Sequence, residues 1–282
     1  MAVGSVGWWT SMALRGKVAL VTGGKRQIGR GIALALADAG AAVVGINDLE
    51  QDADATETMR LLELAGCKTA FFAADVSSSH AVSAMFTSFL ETFGRIDVLA
   101  NNPYKWEPAA FTEISEESWD MSMGVCLKGY FLCSQAAARA MITQGEGGAI
   151  VSTSSVHAKR AWQGDTVYGI AKAGILRLTQ SMAVDLASHN IRCNAVLPGY
   201  MDVNTPWGSE AGPAQLAEYF PAHPSPGPEN FNPPVRDQTG TPEDIGRAVP
   251  TPRLGPLESS LDSSLTTFRW GSECFRLGFS IY

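Results

Sequence analysis

Tyr168 and Lys172 stand in a Tyr-x-x-x-Lys spacing, and Ser155 lies a short loop upstream of them. Residues four apart on a helix share one face, with Cβ atoms about 5–6 Å apart. The stretch from Val167 to Ala187 reads as that helix, because apolar Ile170, Ala171, Ile175, Leu178, Met182 and Leu186 recur at helical intervals. An ammonium held beside a phenol favours the phenolate and lowers a pKa that starts near 10. A tyrosine tuned in this way exchanges a proton with an alcohol or a carbonyl near neutral pH. Ser155 offers a hydroxyl that can hydrogen-bond the same substrate oxygen. By itself the spacing recurs by chance on many helices, so its meaning depends on the elements that surround it.

Those elements begin with Lys17–Val21, a short apolar run of strand character, followed by Thr22-Gly-Gly-Lys-Arg-Gln-Ile-Gly29 and an amphipathic helix. Strand, glycine turn and helix start form the layout in which backbone N–H groups receive a pyrophosphate. The spacing of Gly23 and Gly29 departs from the common Gly-x-Gly-x-x-Gly fingerprint. Further strands are expected near Ala42–Ile46, Thr69–Phe72, Val98–Ala100, Ala149–Ser152 and Arg192–Val196. Helices are expected near Ile28–Ala39, Asp52–Ala65, Ser79–Phe93, Glu116–Thr143 and Val167–Ala187. The alternation predicts an α/β fold, a single doubly wound Rossmann-type domain on a parallel sheet, with ligands at the C-terminal ends of the strands.

Composition narrows the alternatives. A chain of 282 residues with 45% apolar content can bury a large core in one domain. A net charge of −7 argues against a nucleic-acid partner, which calls for a basic face. No apolar run approaches the length of a membrane helix. Cys67, Cys126, Cys133, Cys193 and Cys274 lack Cys-x-x-Cys spacing, so neither a metal site nor a disulfide framework is expected, and a reducing cytoplasm is the plain reading.

Taken together, these motifs resemble the short-chain dehydrogenase/reductase family, in register from about Leu14 to Val249. The family's Thr-Gly-x-x-x-Gly-x-Gly turn falls on Thr22 to Gly29, and its Asp-Val pair on Asp75-Val76. Its Asn-Asn-Ala-Gly stretch falls on Asn101-Asn102-Pro103-Tyr104, and its Asn-x-x-x-Pro-Gly stretch on Asn194 to Gly199. The resemblance implies Ser155, Tyr168 and Lys172 as catalytic residues of an NAD(P)-dependent oxidoreductase that interconverts a secondary alcohol and a ketone. It implies Gly23, Arg26, Gln27, Ile28, Gly29, Asp48, Asp75, Val76, Asn101, Tyr168, Lys172, Pro198, Gly199 and Met201 around the cofactor. Asp48 at the end of the second strand favours NAD over NADP, while Lys25 and Arg26 pull toward a 2′-phosphate; Asn47 occupies the family's usual acid position. The small-molecule partner is an alcohol or ketone, and family members assemble as homo-oligomers, tetramers or dimers.

The departures are as informative as the matches. Cys126 occupies the place of the family's active-site asparagine, in Val125-Cys126-Leu127-Lys128-Gly129. A thiol is a weak donor and a weak acceptor, so slower proton exchange is expected; the residue reads as a small filler in its helix rather than a nucleophile. Gln27 replaces a glycine of the phosphate turn, which costs affinity if its φ is positive. Pro103-Tyr104 adds bulk beside the cofactor path. His157, Lys159, Arg160 and Trp162 lie in the loop that borders the substrate and suit hydroxyl or carboxylate groups.

The domain reading is residues 1–13 as a disordered extension, 14–249 as the Rossmann-type domain with a proline-rich substrate lid over about 202–239, and 250–282 as an atypical C-terminal segment. Trp207, Tyr219 and Phe231 in the lid suit a hydrophobic or ring-shaped substrate. At Pro250 the family pattern stops abruptly, with no convincing final strand. One hypothesis is an out-of-frame coding stretch from about Pro250 to Glu273; an intact frame on resequencing would remove it. The abrupt change and Cys126 support an alternative function, a degenerate dinucleotide-binding relative that acts as a binding or scaffold protein.

Overall fold

The structure, a computed structural model, describes residues 14–199 and the backbone of strands Thr267–Trp270 and Glu273–Arg276. Met201, the lid with Trp207, Tyr219 and Phe231, and the N-terminal extension lie outside the described residues.

Six strands alternate with helices: β1 (Val18–Thr22), α1 (Gln27–Asp38), β2 (Val43–Asp48), α2 (Ala53–Leu64), β3 (Lys68–Ala73), α3 (Ser79–Phe93) and β4 (Val98–Asn101), then α4 (Glu116–Met123), α5 (Gly129–Gln144), β5 (Gly148–Thr153), α6 (Thr166–Leu186) and β6 (Ile191–Val196). All pairings in this sheet are parallel, in the order β3-β2-β1-β4-β5-β6. The chain winds outward from β1 in one direction, returns to β4 on its other side and then winds the opposite way. That reversal opens a crevice at the C-terminal ends of β1 and β4, where such sheets bind ligands.

Side-chain alternation along each strand explains why both faces are covered. Val18 and Leu20 of β1 join one buried cluster with Val82, Met85, Phe86 and Phe89 of α3 and Cys133, Ala137 and Met141 of α5. Ala19 and Val21, pointing the other way, join Val44, Ile46, Ile32, Ala33 and Leu36 on the opposite face. Phe89 is fully buried, 5.2 Å from both Phe72 and Phe93 by ring centroids. Truncating such a phenylalanine to alanine costs about 3–5 kcal/mol. Side chains of Asp52, Ser78 and Ser115 cap α2, α3 and α4 by accepting N–H groups of the first turn.

One expectation changes. The long helix expected over Glu116–Thr143 is interrupted by a π turn at Gly124–Lys128, in which the Gly129 N–H bonds the Gly124 carbonyl five residues back. The turn accommodates one residue more than a regular helix and leaves Cys126 fully buried. At the C-terminus, where no convincing final strand of the parallel sheet was expected, β7 (Thr267–Trp270) and β8 (Glu273–Arg276) pair antiparallel as a two-stranded sheet of their own. Among the described residues, β6 ends the parallel sheet.

Candidate active site

The glycine turn between β1 and α1 is built for close approach. A Cβ on Gly29 would overlap the Gly23 carbonyl oxygen, and one on Gly23, where φ is +63°, would lie 2.8 Å from Pro103 Cα. The Asn102 side chain donates to that same Gly23 carbonyl at 3.1 Å, tying the turn to the end of β4. Among the described residues no side chain caps α1, and no acid stands in its first turn. The helix start therefore suits an anion such as a dinucleotide pyrophosphate. Arg26 is exposed beside it, and Ile28 is half-buried. Gln27 is the misfit, with a φ of 51° that a glycine would hold without strain. Pro103, expected as an obstruction, is instead the surface against which Gly23 packs.

At the end of β2 the two candidate acid positions separate cleanly. Asn47 is buried, and its Nδ2 donates to the Phe72 and Ala74 carbonyls at 2.9 and 3.1 Å, locking β2 to β3. Asp48 stands at the strand end with its side chain partly exposed. Lys25 reaches it at 3.8 Å and donates to Asp52 at 2.8 Å. The Asp52 hydrogen bond raises the Lys25 amine above its ordinary range, against an opposing effect of burial. Thus Lys25 is already neutralised by acids. Arg26 is more open, 4.0 Å from Asp54.

The remaining cofactor candidates differ in what their side chains do. Asp75 is exposed after β3 and accepts from the Ser77 backbone and hydroxyl at 2.9 and 2.7 Å. Val76 is buried. Asn101 is also buried, where it donates to Ser134 at 2.9 Å and accepts from Thr22 at 3.4 Å. Its side chain is occupied in joining β1, β4 and α5. Pro198 is buried and accepts the Val156 N–H at 3.1 Å, while Gly199 is exposed next to Val156.

Ser155, Tyr168 and Lys172 converge at the C-terminal end of β5. Ser155 is buried at the start of a short 3-10 turn, Val156–Ala158, and accepts the His157 N–H at 3.2 Å. Lys172 is fully buried on α6; its Nζ donates to the Thr153 carbonyl at 2.8 Å and to the Tyr130 hydroxyl at 3.4 Å. The same Nζ lies 5.4 Å from the centre of the Tyr168 ring. Burial lowers the Lys172 amine from its ordinary 10.5 to about 8. Burial also pushes the Tyr168 phenol well above its ordinary range, and the Ser155 hydrogen bond only partly offsets this. The lowering expected from the neighbouring ammonium is outweighed here: desolvation wins, and the resting phenol keeps its proton.

Cys126 is more than a filler. Its sulfur accepts the Lys105 N–H at 3.2 Å, and its thiol donates to the Lys105 carbonyl at 3.3 Å. Thus the thiol meets both backbone groups of one residue in the loop after β4, as a side-chain amide can. Complete burial also removes it from consideration as a nucleophile.

Three residues outside the motif set complete the site. Tyr130 is fully buried, and its hydroxyl lies 3.0 Å from the Pro103 carbonyl and 3.1 Å from that of Thr153. Its sequence signal is the four-residue spacing from Cys126, across the end of the π turn. Asp165, next to the start of α6, faces His157 Nδ1 at 2.9 Å. Trp106 lies 5.4 Å from the Tyr168 ring, in the loop after β4 that strand-end logic marks for ligands. Of the loop residues expected to border the substrate, His157 stands 5.3 Å from the Tyr168 ring and stacks on Trp162 at 4.2 Å, while Lys159 and Arg160 are exposed.

This geometry agrees with what the chain is similar to. The short chain dehydrogenase family profile matches residues 17–214. The chain is 36% identical over 209 residues to the 2-dehydro-3-deoxy-D-gluconate 5-dehydrogenase of Escherichia coli (strain K12), covering 74% of this chain and 81% of that one. It is 39% identical over 196 residues to the (3R)-3-hydroxyacyl-CoA dehydrogenase of Homo sapiens, covering 67% and 74%. Among solved structures, carveol dehydrogenase from Mycobacterium avium in complex with NAD superposes with a TM-score of 0.73 at 28% identity, covering 85% of this chain and 91% of that chain. The chain belongs to the short-chain dehydrogenase family and is an NAD(P)-dependent oxidoreductase. No similarity among these favours the scaffold alternative.

Proposed function

We propose that the enzyme interconverts a secondary alcohol and the matching ketone, with Tyr168 as the proton donor and acceptor. The observation that carries this reading is the meeting of Ser155, Tyr168 and Lys172 at one strand end, across the crevice from the glycine turn. Ser155 holds the substrate oxygen. In reduction the protonated Tyr168 phenol gives its proton to that oxygen, and in oxidation the phenolate takes it. Lys172 keeps its charge below about pH 8, and its ammonium, 5.4 Å from the centre of the Tyr168 ring, favours the phenolate. Its ammonium also suits the hydroxyls of the nicotinamide ribose. A bound nicotinamide supplies the hydride acceptor or donor.

For the cofactor, Gly23, Arg26, Gln27, Ile28 and Gly29 are proposed to hold the pyrophosphate, Asp75 and Val76 the adenine, and Asn101, Pro198, Gly199 and Met201 the nicotinamide side. Asp48 supports NAD as the preferred form, since a carboxylate binds a ribose diol and repels a 2′-phosphate. The relatives named above act on chemically different compounds, so they support the reaction rather than any one substrate.

We further propose a homo-oligomer, dimer or tetramer, in the cytoplasm. Exposed Trp119 and Met121 on α4, Phe131 on α5 and Ile170 on α6 support self-association. The buried free thiols of Cys67, Cys126, Cys133 and Cys193 suit a reducing compartment.

The decisive variant is Tyr168→Phe. It should abolish turnover and leave NADH binding, followed by tryptophan fluorescence, within about threefold of the parent. Turnover that survives the substitution would overturn the assignment.

A further inference from the structure

One polar group beside Tyr168 has no task in the reaction as proposed. His157 sits in the 3-10 turn just after Ser155, with its side chain 23% exposed. Its Nδ1 lies 2.9 Å from an oxygen of Asp165, a carboxylate that is 6% exposed. The imidazole stacks on Trp162 at 4.2 Å with an interplanar angle of 29°. It meets the Tyr168 ring edge to face at 5.3 Å, and lies 6.1 Å from Trp106. Trp106 is fixed in turn, because its indole N–H donates to the Gly164 carbonyl at 3.4 Å. The ring thus cannot turn without breaking a hydrogen bond and losing aromatic contacts.

The carboxylate also fixes which ring nitrogen carries the proton. Asp165 accepts from Nδ1–H, so the neutral imidazole keeps its lone pair on Nε2. Among the described residues Nε2 makes no hydrogen bond. A polar atom held this firmly in a partly buried wall is one that a ligand can satisfy. In this neutral form Nε2 is an acceptor, so the matching ligand group is a donor, which selects a hydroxyl over a carboxylate or an ether. The Trp106 and Trp162 rings that flank it offer flat apolar surface for the carbon skeleton of a ring.

We propose that His157, oriented by Asp165, determines specificity by accepting a hydrogen bond from a second substrate hydroxyl adjacent to the carbon that reacts at Tyr168. The preferred substrates are then vicinal diols and α-hydroxy ketones of the sugar or polyol type, rather than simple alcohols. The inference rests on the dehydrogenase reading given above. A purely structural His157–Asp165 pair, one that only shapes the loop, affects all alcohols alike. A specificity pair affects the diol more.

The test uses full-length protein with NAD and two matched pairs of probes, 2-butanol with 2,3-butanediol and cyclohexanol with cyclohexane-1,2-diol. The parent should favour the diol of each pair at least tenfold in kcat/KM. In His157→Phe, which keeps the stacking and removes the acceptor, that preference should fall about tenfold, mainly through KM. In Asp165→Asn it should fall by a smaller factor. A second readout follows tryptophan fluorescence as the diol is added to the protein with NADH, where His157→Phe should weaken diol binding about tenfold at unchanged NADH affinity. An equal loss on both members of a pair, or a parent without preference, overturns the inference and leaves the dehydrogenase reading intact. A folded, NADH-binding parent that oxidises no alcohol overturns that reading, and this inference with it.

Discussion

The Tyr130 hydroxyl and the Lys172 ammonium are hydrogen-bonded at 3.4 Å inside the protein, and both reach the Thr153 carbonyl, at 3.1 and 2.8 Å. Tyr130 also meets the Pro103 carbonyl at 3.0 Å, so one phenol links the end of β5, the loop after β4 and the lysine. Burial raises the Tyr130 phenol well above its ordinary range, which keeps it protonated and able to donate. Among the described residues Lys172 has no ion-pair partner; a carbonyl and a phenol hold its position beneath Tyr168.

Removing that hydroxyl should therefore displace the lysine. Tyr130→Phe keeps the ring and deletes a hydrogen bond to a charged group, worth about 1.5–3 kcal/mol. We expect kcat to fall on the order of tenfold or more, with NADH affinity changed less than about threefold and the fold retained by circular dichroism. An unaltered kcat would show that Lys172 is positioned without Tyr130.

Gln27 gives a prediction in the opposite direction, a substitution that improves the protein. A left-handed backbone costs a non-glycine residue roughly 1–2 kcal/mol, and Gln27 has a φ of 51°. Gln27→Gly should raise stability by about 1 kcal/mol, a Tm gain of roughly 2–4 °C for a chain of this size, and tighten NADH binding. Gly29→Ala is the control: its Cβ overlaps the Gly23 carbonyl and should abolish NADH binding. A lower Tm for Gln27→Gly would mean that the glutamine side chain contributes more than its backbone strain removes.

The sheet was legible because its signals are local. The unbroken apolar run of β1 and the helical spacing in α3 appear in the order of the residues, and the strand-end rule then places the motifs. Which of Asn47 and Asp48 faces the ligand was not legible, since it depends on the register between β2 and β3. That register turns Asn47 inward, onto the carbonyls of Phe72 and Ala74. The break between α4 and α5 escaped for another reason. A π turn follows no repeat, and the bonds between Cys126 and Lys105 join residues from separate elements. The net shift of Tyr168 was not legible because spacing gives distance but not burial, and burial is the largest influence on both pKa values.

Cofactor preference can be read from the acids around Lys25. With Lys25 already paired to Asp52 and near Asp48, a 2′-phosphate would meet Asp48 without a free lysine to balance it. The parent should bind NADH more tightly than NADPH. Asp48→Ser removes the nearest negative charge and frees one contact of Lys25, so the NADPH-to-NADH ratio of Kd values should fall at least tenfold, about 1.4 kcal/mol. Parallel fluorescence titrations measure both constants. A ratio unmoved by Asp48→Ser would take Asp48 out of the ribose site.

Lys172 should be a residue that the enzyme keeps at the expense of stability. Its pKa is about 8 in the folded protein against an ordinary 10.5, so burial disfavours the charged form. Between those values the unfolded chain binds more protons than the folded one, and stability therefore rises with pH across this window. Below about pH 8 the folded lysine is charged and the full penalty applies. Lys172→Met fills a similar volume without the charge. It should abolish turnover yet raise stability at pH 7 by roughly 1–3 kcal/mol. Relative to the parent, that gain should be constant below about pH 8 and shrink as pH approaches 10.5, where the wild-type lysine is already neutral when folded. Urea denaturation of both proteins from pH 6.5 to 10 measures the difference. A variant that is less stable at every pH would show that the bonds to Thr153 and Tyr130 outweigh the cost of burying the ammonium.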